Sequence, residues 1–176
     1  LEGLSLAVGG ALARALRECG ARGVQLKWPN DLVANGAKLG GVLIEVQAEA
    51  GGSCQAIIGI GLNISLPPGC SQQLGRDVTD VRSLGATTVS RNRLGALLLQ
   101  EVLLLLKDYP AKRFAGVRDE WLQLDALTDA PVQVTGLQQA VEGYARGVDE
   151  QGALLVETDA GLVRLQAGEV SLRRRS

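Results

Sequence analysis

The chain has 176 residues, of which 46% are hydrophobic, and it carries a formal net charge of −1 with no histidine. This length and apolar content allow one or two small domains with a buried core, and the near-neutral charge gives no reason to expect a nucleic-acid partner. The missing histidine excludes imidazole-activated nucleophiles and most zinc sites. The three cysteines form no C-x-x-C pair, which is typical of a reduced, cytoplasmic protein, and no apolar run approaches the roughly 20 residues of a membrane span.

The first third of the chain predicts a helix followed by strands. Apolar residues recur at helical spacing over residues 4–19, and Gly20 suits the position after a helix end. Residues 24–28 predict a strand that Pro29 ends, with Trp28 expected in the core. Asn30 and Asp31 are typical turn residues.

Residues 38–46 and 55–64 predict an antiparallel hairpin whose turn lies at residues 49–53. In the second strand the side chains alternate between two faces. One face carries the apolar residues Ile58, Ile60, Leu62 and Ile64, and the other carries Gly59, Gly61, Asn63 and Ser65. The apolar face is expected to pack on the core, and the small, polar face remains available for a ligand.

The rest of the chain predicts helices and then short strands. Residues 71–89 are weakly patterned with one short helix at 80–84, and residues 91–109 predict a strongly apolar, central helix. Residues 111–124 predict a further helix in which Trp121 packs. After a composition shift at 128–131, five short β runs (132–135, 141–147, 153–157, 162–165 and 170–172) predict a small barrel. The expected domains are therefore 1–128 and 129–176.

The most specific motif combines a cation, an amide, a carboxylate and strand glycines. It reads Lys27-Trp28-Pro29-Asn30-Asp31, then Lys38 and Gly40-Gly41, then Gly59-Ile60-Gly61-Leu62-Asn63. Such a set suits a site where two negatively charged small molecules meet. It closely resembles the central signature of biotin protein ligases, and the resemblance continues to residues 168–173.

The resemblance implies an α+β fold, in which part of a class II synthetase-like mixed-sheet catalytic domain precedes a small SH3-like β-barrel. It implies an enzyme that activates biotin with ATP and Mg²⁺ to biotinyl-5'-AMP. Biotin is then transferred to a lysine of a biotin carboxyl carrier protein. Because the biotin carboxylate is itself the nucleophile, the missing histidine is no obstacle. The difficulty is electrostatic, since an anion must attack a polyanion, and a fixed cation lowers that barrier.

The resemblance assigns the polar roles residue by residue. Lys38 matches the family lysine that contacts the biotin carboxyl and the phosphate, so Lys38 and Asp31 are the expected catalytic residues. Asn30, Asp31 and Asn63 are expected at ATP, where Asp31 can also hold Mg²⁺. Without the motif, Asn30-Asp31 would be an ordinary turn and Lys38 a solvated strand lysine.

The resemblance also assigns Gly41, Gly59 and Gly61 to biotin, for which they would leave a flat floor. Strict alternation puts Lys38 and Gly41 on opposite faces, so we expect a β-bulge at residues 40–41. Glu169 and Arg173 match polar positions of the family's C-terminal domain, which is thought to help order ATP or dock the carrier. The alternative for this pair is a structural salt link between strands.

The sequence departs from the family pattern upstream. The family's arginine- and glycine-rich loop is absent, and methionine is missing even at position 1. We therefore expect a piece of a longer protein that binds biotin weakly by itself. Two alternatives stay open: a lipoate-type ligase and a non-catalytic module that docks the carrier. A homodimer through the hairpin edge is possible, whereas no membrane or nucleic-acid partner is expected from this segment.

Overall fold

The computed structural model describes residues 1–48, 54–136, 139–167 and 171–174. The helices are α1 (Leu4–Glu18), α2 (Cys70–Leu74), α3 (Arg91–Lys112) and α4 (Arg118–Leu124), with a 3₁₀ turn at Phe114–Val117. The strands are β1 (Val24–Lys27), β2 (Asp31–Ala34), β3 (Ala37–Ala48), β4 (Cys54–Leu62), β5 (Pro131–Thr135), β6 (Val141–Val148), β7 (Leu154–Thr158), β8 (Gly161–Leu165) and β9 (Ser171–Arg174). They form two antiparallel sheets, ordered β1-β2-β3-β4 and β8-β7-β6-β5-β9. The predicted α+β class is confirmed.

Helix α1 is the centre of the core, and it lies where the sequence predicts it. Most of its residues are buried, and it contacts β1, β3, α3 and α4. Gly9 allows a close approach to β1, because a Cβ there would lie 3.3 Å from a methyl group of Leu26. At its polar margin, Arg14 pairs with Glu101 of α3 at 2.7 Å and Glu120 of α4 at 2.6 Å. These contacts fix the helices behind the first sheet.

Strand β2 is an element that the sequence analysis missed. The turn residue Asn30 precedes it, but Asp31 is its first residue and pairs with Lys27 of β1. The missed signal is Asn35-Gly36, since both residues have positive φ (50° and 79°) and join β2 to β3 by a tight turn. Asn-Gly is the preferred sequence for such a two-residue hairpin turn. Asp31 is therefore held on a strand.

The β3–β4 hairpin is confirmed, with β3 longer than predicted and β4 ending two residues early, at Leu62. Its expected turn at 49–53 lies outside the described residues. A bulge interrupts the pairing of β2 with β3, because Leu32 pairs with Gly40 and Val33 with Lys38. The extra residue is Leu39, just before the 40–41 position expected from the sequence. Leu39 is fully buried, so the bulge directs its side chain into the core. It also shifts the alternation of side chains between the two faces of β3, so that residues before and after Leu39 no longer alternate strictly.

Two predictions about the middle helices are wrong. Residues 81–85 form turns instead of a helix, because the Asp80 carboxylate accepts hydrogen bonds from the backbone amides of Ser83 (2.8 Å) and Leu66 (2.9 Å). The short helix lies earlier, as α2, and Gly75 ends it at a φ of 61°. The predicted helix 111–124 is also divided, since α3 extends to Lys112 and the chain turns at Arg113, where φ is 53°.

Helix α3 is present as predicted, but it is not central. Its buried face consists of Leu94, Leu97, Val102, Leu105 and Tyr109. On its outer face, Leu99, Leu103 and Leu104 are each more than half exposed. One face of the helix packs against α1, and the apolar side chains of its outer face are not covered by the described elements.

The second sheet supplies five strands close to the five predicted runs, and one continuous core cluster includes residues of both sheets. The SH3-like character of the barrel and the domain boundary at 128–129 stay predictions. Trp28 and Trp121 are both buried, as expected. The indole nitrogen of Trp28 also donates a 3.0 Å hydrogen bond to the carbonyl of Gly152, so the signature motif contacts the second sheet's β6–β7 connection directly.

This contact predicts a stability effect. Trp28→Phe leaves the buried Gly152 carbonyl without its donor and should lower the free energy of unfolding by about 1–3 kcal/mol. Trp28→Ala should lower it by roughly 3–5 kcal/mol, since a large cavity remains. Urea denaturation measures both. The control is Trp121→Phe. Trp121 is also buried, but its indole nitrogen makes no hydrogen bond within the described residues. Equal losses from the two Phe variants would show that the Trp28 hydrogen bond contributes nothing.

Candidate active site

The centre of the candidate site is an ion pair between neighbouring strands. The Lys38 ammonium lies 2.5 Å from Oδ1 of Asp31, and the two side chains are 34% and 23% exposed. Asp31 opens β2 and Lys38 lies near the start of β3, so the tight turn and the bulge bring the two together. The pair gives a cation that is fixed in position yet accessible to a ligand.

The Lys38 ammonium faces a cavity of about 330 Å³. The cavity is lined by Lys38, Gly40, Gly41, Gly61, Leu62, Asn63, Leu66, Leu74, Arg76 and Val78. Four of these were singled out from the sequence: Lys38, Gly41, Gly61 and Asn63. We call this the Lys38 cavity. The residues from Leu66 onward come from the segment after β4 and were not predicted.

Gly41 lies directly beside the ion pair. A Cβ at this position would lie 3.2 Å from Oδ1 of Asp31 and 3.7 Å from Nζ of Lys38. Gly61 is more open, since a Cβ there would meet only the Gly41 carbonyl at 4.0 Å. The bulge therefore does place Lys38 and Gly41 toward one site. Gly59 pairs with Leu43 further along the hairpin and does not line this cavity.

The two predicted asparagines lie in different surroundings. The Asn63 amide donates to the carbonyls of Lys38 (3.3 Å) and Thr79 (3.1 Å), and so ties β3 to the segment after β4. Asn30 lines a separate cavity of about 360 Å³ beside the chain start, Pro29 and Gly152. Asn63 thus lines the Lys38 cavity and Asn30 does not, although the Asn30 carbonyl would lie 3.3 Å from a Cβ on Gly41.

Lys27 pairs with Asp31 across β1 and β2, and the sequence analysis gave it no role of its own. Burial lowers the pKa of Lys27, Asp31 opposes that effect, and the positive charges of Lys38 and Arg173 lower it further. Arg173 of β9 thus lies near enough to influence the first sheet, whereas Glu169 falls outside the described residues. The available signal was the position of Lys27 at the head of the motif. Lys27 and Lys38 therefore both lie close to Asp31, and Arg173 acts on Lys27.

The segment after β4 is anchored by Asp80, whose carboxylate is almost fully buried. Burial by itself would raise the pKa of Asp80, but hydrogen bonds from Ser83 and Leu66 outweigh it and hold the pKa below its ordinary value. A charged carboxylate at this point fixes the loop that forms one wall of the Lys38 cavity.

Two further features bear on the chemistry. Within the described ranges, no group of three or more histidine, cysteine, aspartate or glutamate side chains is arranged to hold a metal ion. Over the same residues, no helix has both the length and the hydropathy needed to cross a bilayer.

Comparison with known proteins defines the class. Residues 1–63 match the Biotin/lipoate A/B protein ligase family, and residues 130–173 match the biotin protein ligase C-terminal domain. The fold is thus that of a biotin/lipoate-type ligase. The chain belongs to the biotin protein ligase family.

Individual relatives agree with this assignment. The bifunctional ligase/repressor BirA of Escherichia coli is 34% identical over 97% of this chain and 53% of its own length. A biotin–[acetyl-CoA-carboxylase] ligase of Mycobacterium tuberculosis is 32% identical over 82% of this chain and 52% of its own length. The chain spans about half the length of these curated relatives. The biotin protein ligase of Aquifex aeolicus, solved with biotin and ATP, superimposes with a TM-score of 0.86 at 26% identity, covering 99% of this chain and 72% of that one.

Proposed function

We propose that this chain is part of an ATP-dependent biotin–[biotin carboxyl carrier protein] ligase. The observation that carries the proposal is the Lys38–Asp31 ion pair at a cavity whose floor includes Gly41 and Gly61. Relatives named biotin–[acetyl-CoA-carboxylase] ligase and a similar structure holding biotin and ATP support it. The carrier domain of acetyl-CoA carboxylase is the proposed macromolecular partner.

In the first step, a biotin carboxylate oxygen attacks the α-phosphorus of ATP, and pyrophosphate leaves with the electron pair of the broken P–O bond. In this proposal the Lys38 ammonium contacts both anions, reduces their repulsion and stabilises the added charge of the transition state. Asp31 holds the ammonium in place. In the second step, the neutral amine of the carrier lysine attacks the acyl carbon, AMP leaves with the electron pair of the broken C–O bond, and the new amide nitrogen loses a proton to water.

The remaining assignments follow the sequence motif, and two of them, Asn30 and Gly59, lie outside the lining of the Lys38 cavity. We assign Gly41, Gly59 and Gly61 to the biotin ring, and Asn30, Asp31 and Asn63 to the nucleotide. Gly59 would serve as an extension of the floor along β4, beyond the Lys38 cavity.

A magnesium ion and the second domain complete the proposed site. The Asp31 carboxylate lies beside Lys38 and Gly41, two residues that line the Lys38 cavity. One neighbouring carboxylate would suit Mg²⁺ held mainly by phosphate oxygens and water. Such an ion would offset the charge of the triphosphate. Arg173 and Glu169 are the proposed contributors from the second domain, and the charge effect of Arg173 on Lys27 supports the former. The free thiols of Cys19 and Cys70 fit a reduced, cytosolic setting.

The test is acid-dependent exchange of labelled pyrophosphate into ATP, followed by transfer to an apo carrier. We expect biotin to support exchange above the background without acid, and lipoate to support none. The rate should be low for these 176 residues by themselves, because the family's arginine- and glycine-rich loop is not among them. Exchange driven by lipoate would favour a lipoate-type ligase. Carrier binding without any exchange would favour a docking module.

A further inference from the structure

The Lys38 cavity contains a second cation that the proposed mechanism does not use. Arg76 lines the cavity from the segment after β4, facing a wall formed by β3 and β4. We propose that Arg76 is a nucleotide-binding residue whose guanidinium contacts the phosphate chain of ATP. This inference rests on the proposed function, because it concerns the substrate of the same site.

The backbone around Arg76 is fixed to the strand that carries Lys38. The amide of Lys38 donates to the carbonyl of Asp77 at 2.9 Å, and the amide of Thr79 donates to the carbonyl of Lys38 at 2.9 Å. Lys38 and Val78 thereby form a parallel bridge. Arg76 comes two residues before that bridge, so its position relative to the Lys38 cation is set by hydrogen bonds between backbones.

The near side of Arg76 is fixed as well. The amide of Arg76 donates to the carbonyl of Ser71 at 3.2 Å, and Gly75 adopts the left-handed conformation that ends α2. The Ser71 hydroxyl accepts a 3.2 Å hydrogen bond from the amide of Val78. Hydrogen bonds therefore fix the backbone both before and after Arg76. Binding of a ligand would need little further ordering of this backbone.

The charges of the cavity require a further cation. The Lys38 ammonium is already paired with the Asp31 carboxylate, so together they present no net charge to an incoming polyanion. Arg76 is exposed, and its side chain makes no ion pair or hydrogen bond within the parts of the chain that the structure describes. Its planar fork suits phosphate oxygens, which accept two parallel hydrogen bonds from guanidinium. Arg76 therefore adds a positive charge, without a counter-ion among the described residues, to that of the paired Lys38.

The experiment measures binding of ATP-Mg²⁺ and of adenosine to the 176-residue chain by calorimetric titration. Arg76→Gln should lower the affinity for ATP by about tenfold or more, the effect of losing one charge-assisted hydrogen bond. Adenosine, which lacks phosphate, should bind both proteins equally. Arg76→Lys should recover part of the loss, and the difference between wild type and Arg76→Gln should shrink at 1 M salt, where charges are screened.

Arg82→Gln is the matched control, since Arg82 lies in the same segment with the same charge but does not line the cavity. It should bind ATP as wild type does. Equal ATP affinity in Arg76→Gln and wild type would overturn the role of Arg76 while leaving the proposed function intact. If Arg76→Gln lowered the affinities for adenosine and ATP equally, the loss would reflect a folding defect instead of a phosphate contact, and the role of Arg76 would again be overturned. If wild type binds no ATP, both proposals fail.

Discussion

Replacing Lys38 by Met should slow the formation of biotinyl-5'-AMP by roughly 10²–10³-fold, the usual effect of removing one preorganised charge-stabilising donor. The reason is positional, because the ammonium borders the cavity and Asp31 holds it 2.5 Å away. Rapid-quench measurement of the adenylate, at saturating biotin and ATP, separates this effect from weaker substrate binding. Binding of the carrier protein should be unchanged.

The same substitution should have little effect on folding. Both partners of the ion pair are partly exposed, and such pairs contribute at most about 1 kcal/mol. Lys112→Met is the control, since Lys112 also pairs with a carboxylate, Asp108 at 2.6 Å, but on α3. It should leave adenylate formation at the wild-type rate. If both variants form adenylate at the wild-type rate, Lys38 is not catalytic and the proposed role of its ammonium is wrong.

Gly41→Val should weaken biotin binding by about 10–100-fold, because the added side chain occupies the space beside the ion pair. Even a Cβ would lie 3.2 Å from the Asp31 carboxylate and 3.7 Å from the Lys38 ammonium. Overpacking of this kind typically costs about 1–3 kcal/mol, which converts to that range of affinity. Calorimetric titration with biotin gives the change directly.

Gly95→Val is the control for Gly41. Gly95 lies on α3, and a Cβ there would meet nothing within 4 Å. Biotin affinity should be unchanged, and stability should rise slightly because valine has a higher helix propensity than glycine. Unchanged biotin affinity in Gly41→Val would show that Gly41 does not line the biotin site.

The local order of the first sheet could largely be predicted from the sequence. Period-2 alternation located β4, helical spacing located α1, and the buried position of Trp28 followed from its strand. The missed strand β2 had a readable signal in Asn35-Gly36, which was overlooked because Pro29 and Asn30 were taken to end the strand region. Turn residues identify a turn, but they do not show how soon the next strand begins.

The composition of the cavity could be predicted only in part. Lys38, Gly41, Gly61 and Asn63 came from the motif, because one bulged hairpin brings them together. Arg76 could not be predicted, since it lies in a segment without hydrophobic period that is positioned by long-range hydrogen bonds. The partial burial of α3 was equally hidden, because apolar composition does not report which faces have a partner.

The central claim is that biotin and ATP meet at the Lys38 cavity. The most direct measurement is a crystal structure of this chain with a non-hydrolysable analogue of biotinyl-5'-AMP. We predict that the analogue's phosphoryl group lies within about 3 Å of the Lys38 ammonium, as a charge-assisted hydrogen bond requires. Its biotin ring should lie against Gly41 and Gly61. An analogue bound entirely in the cavity beside Asn30 and Gly152, with no contact to Lys38, would contradict the claim.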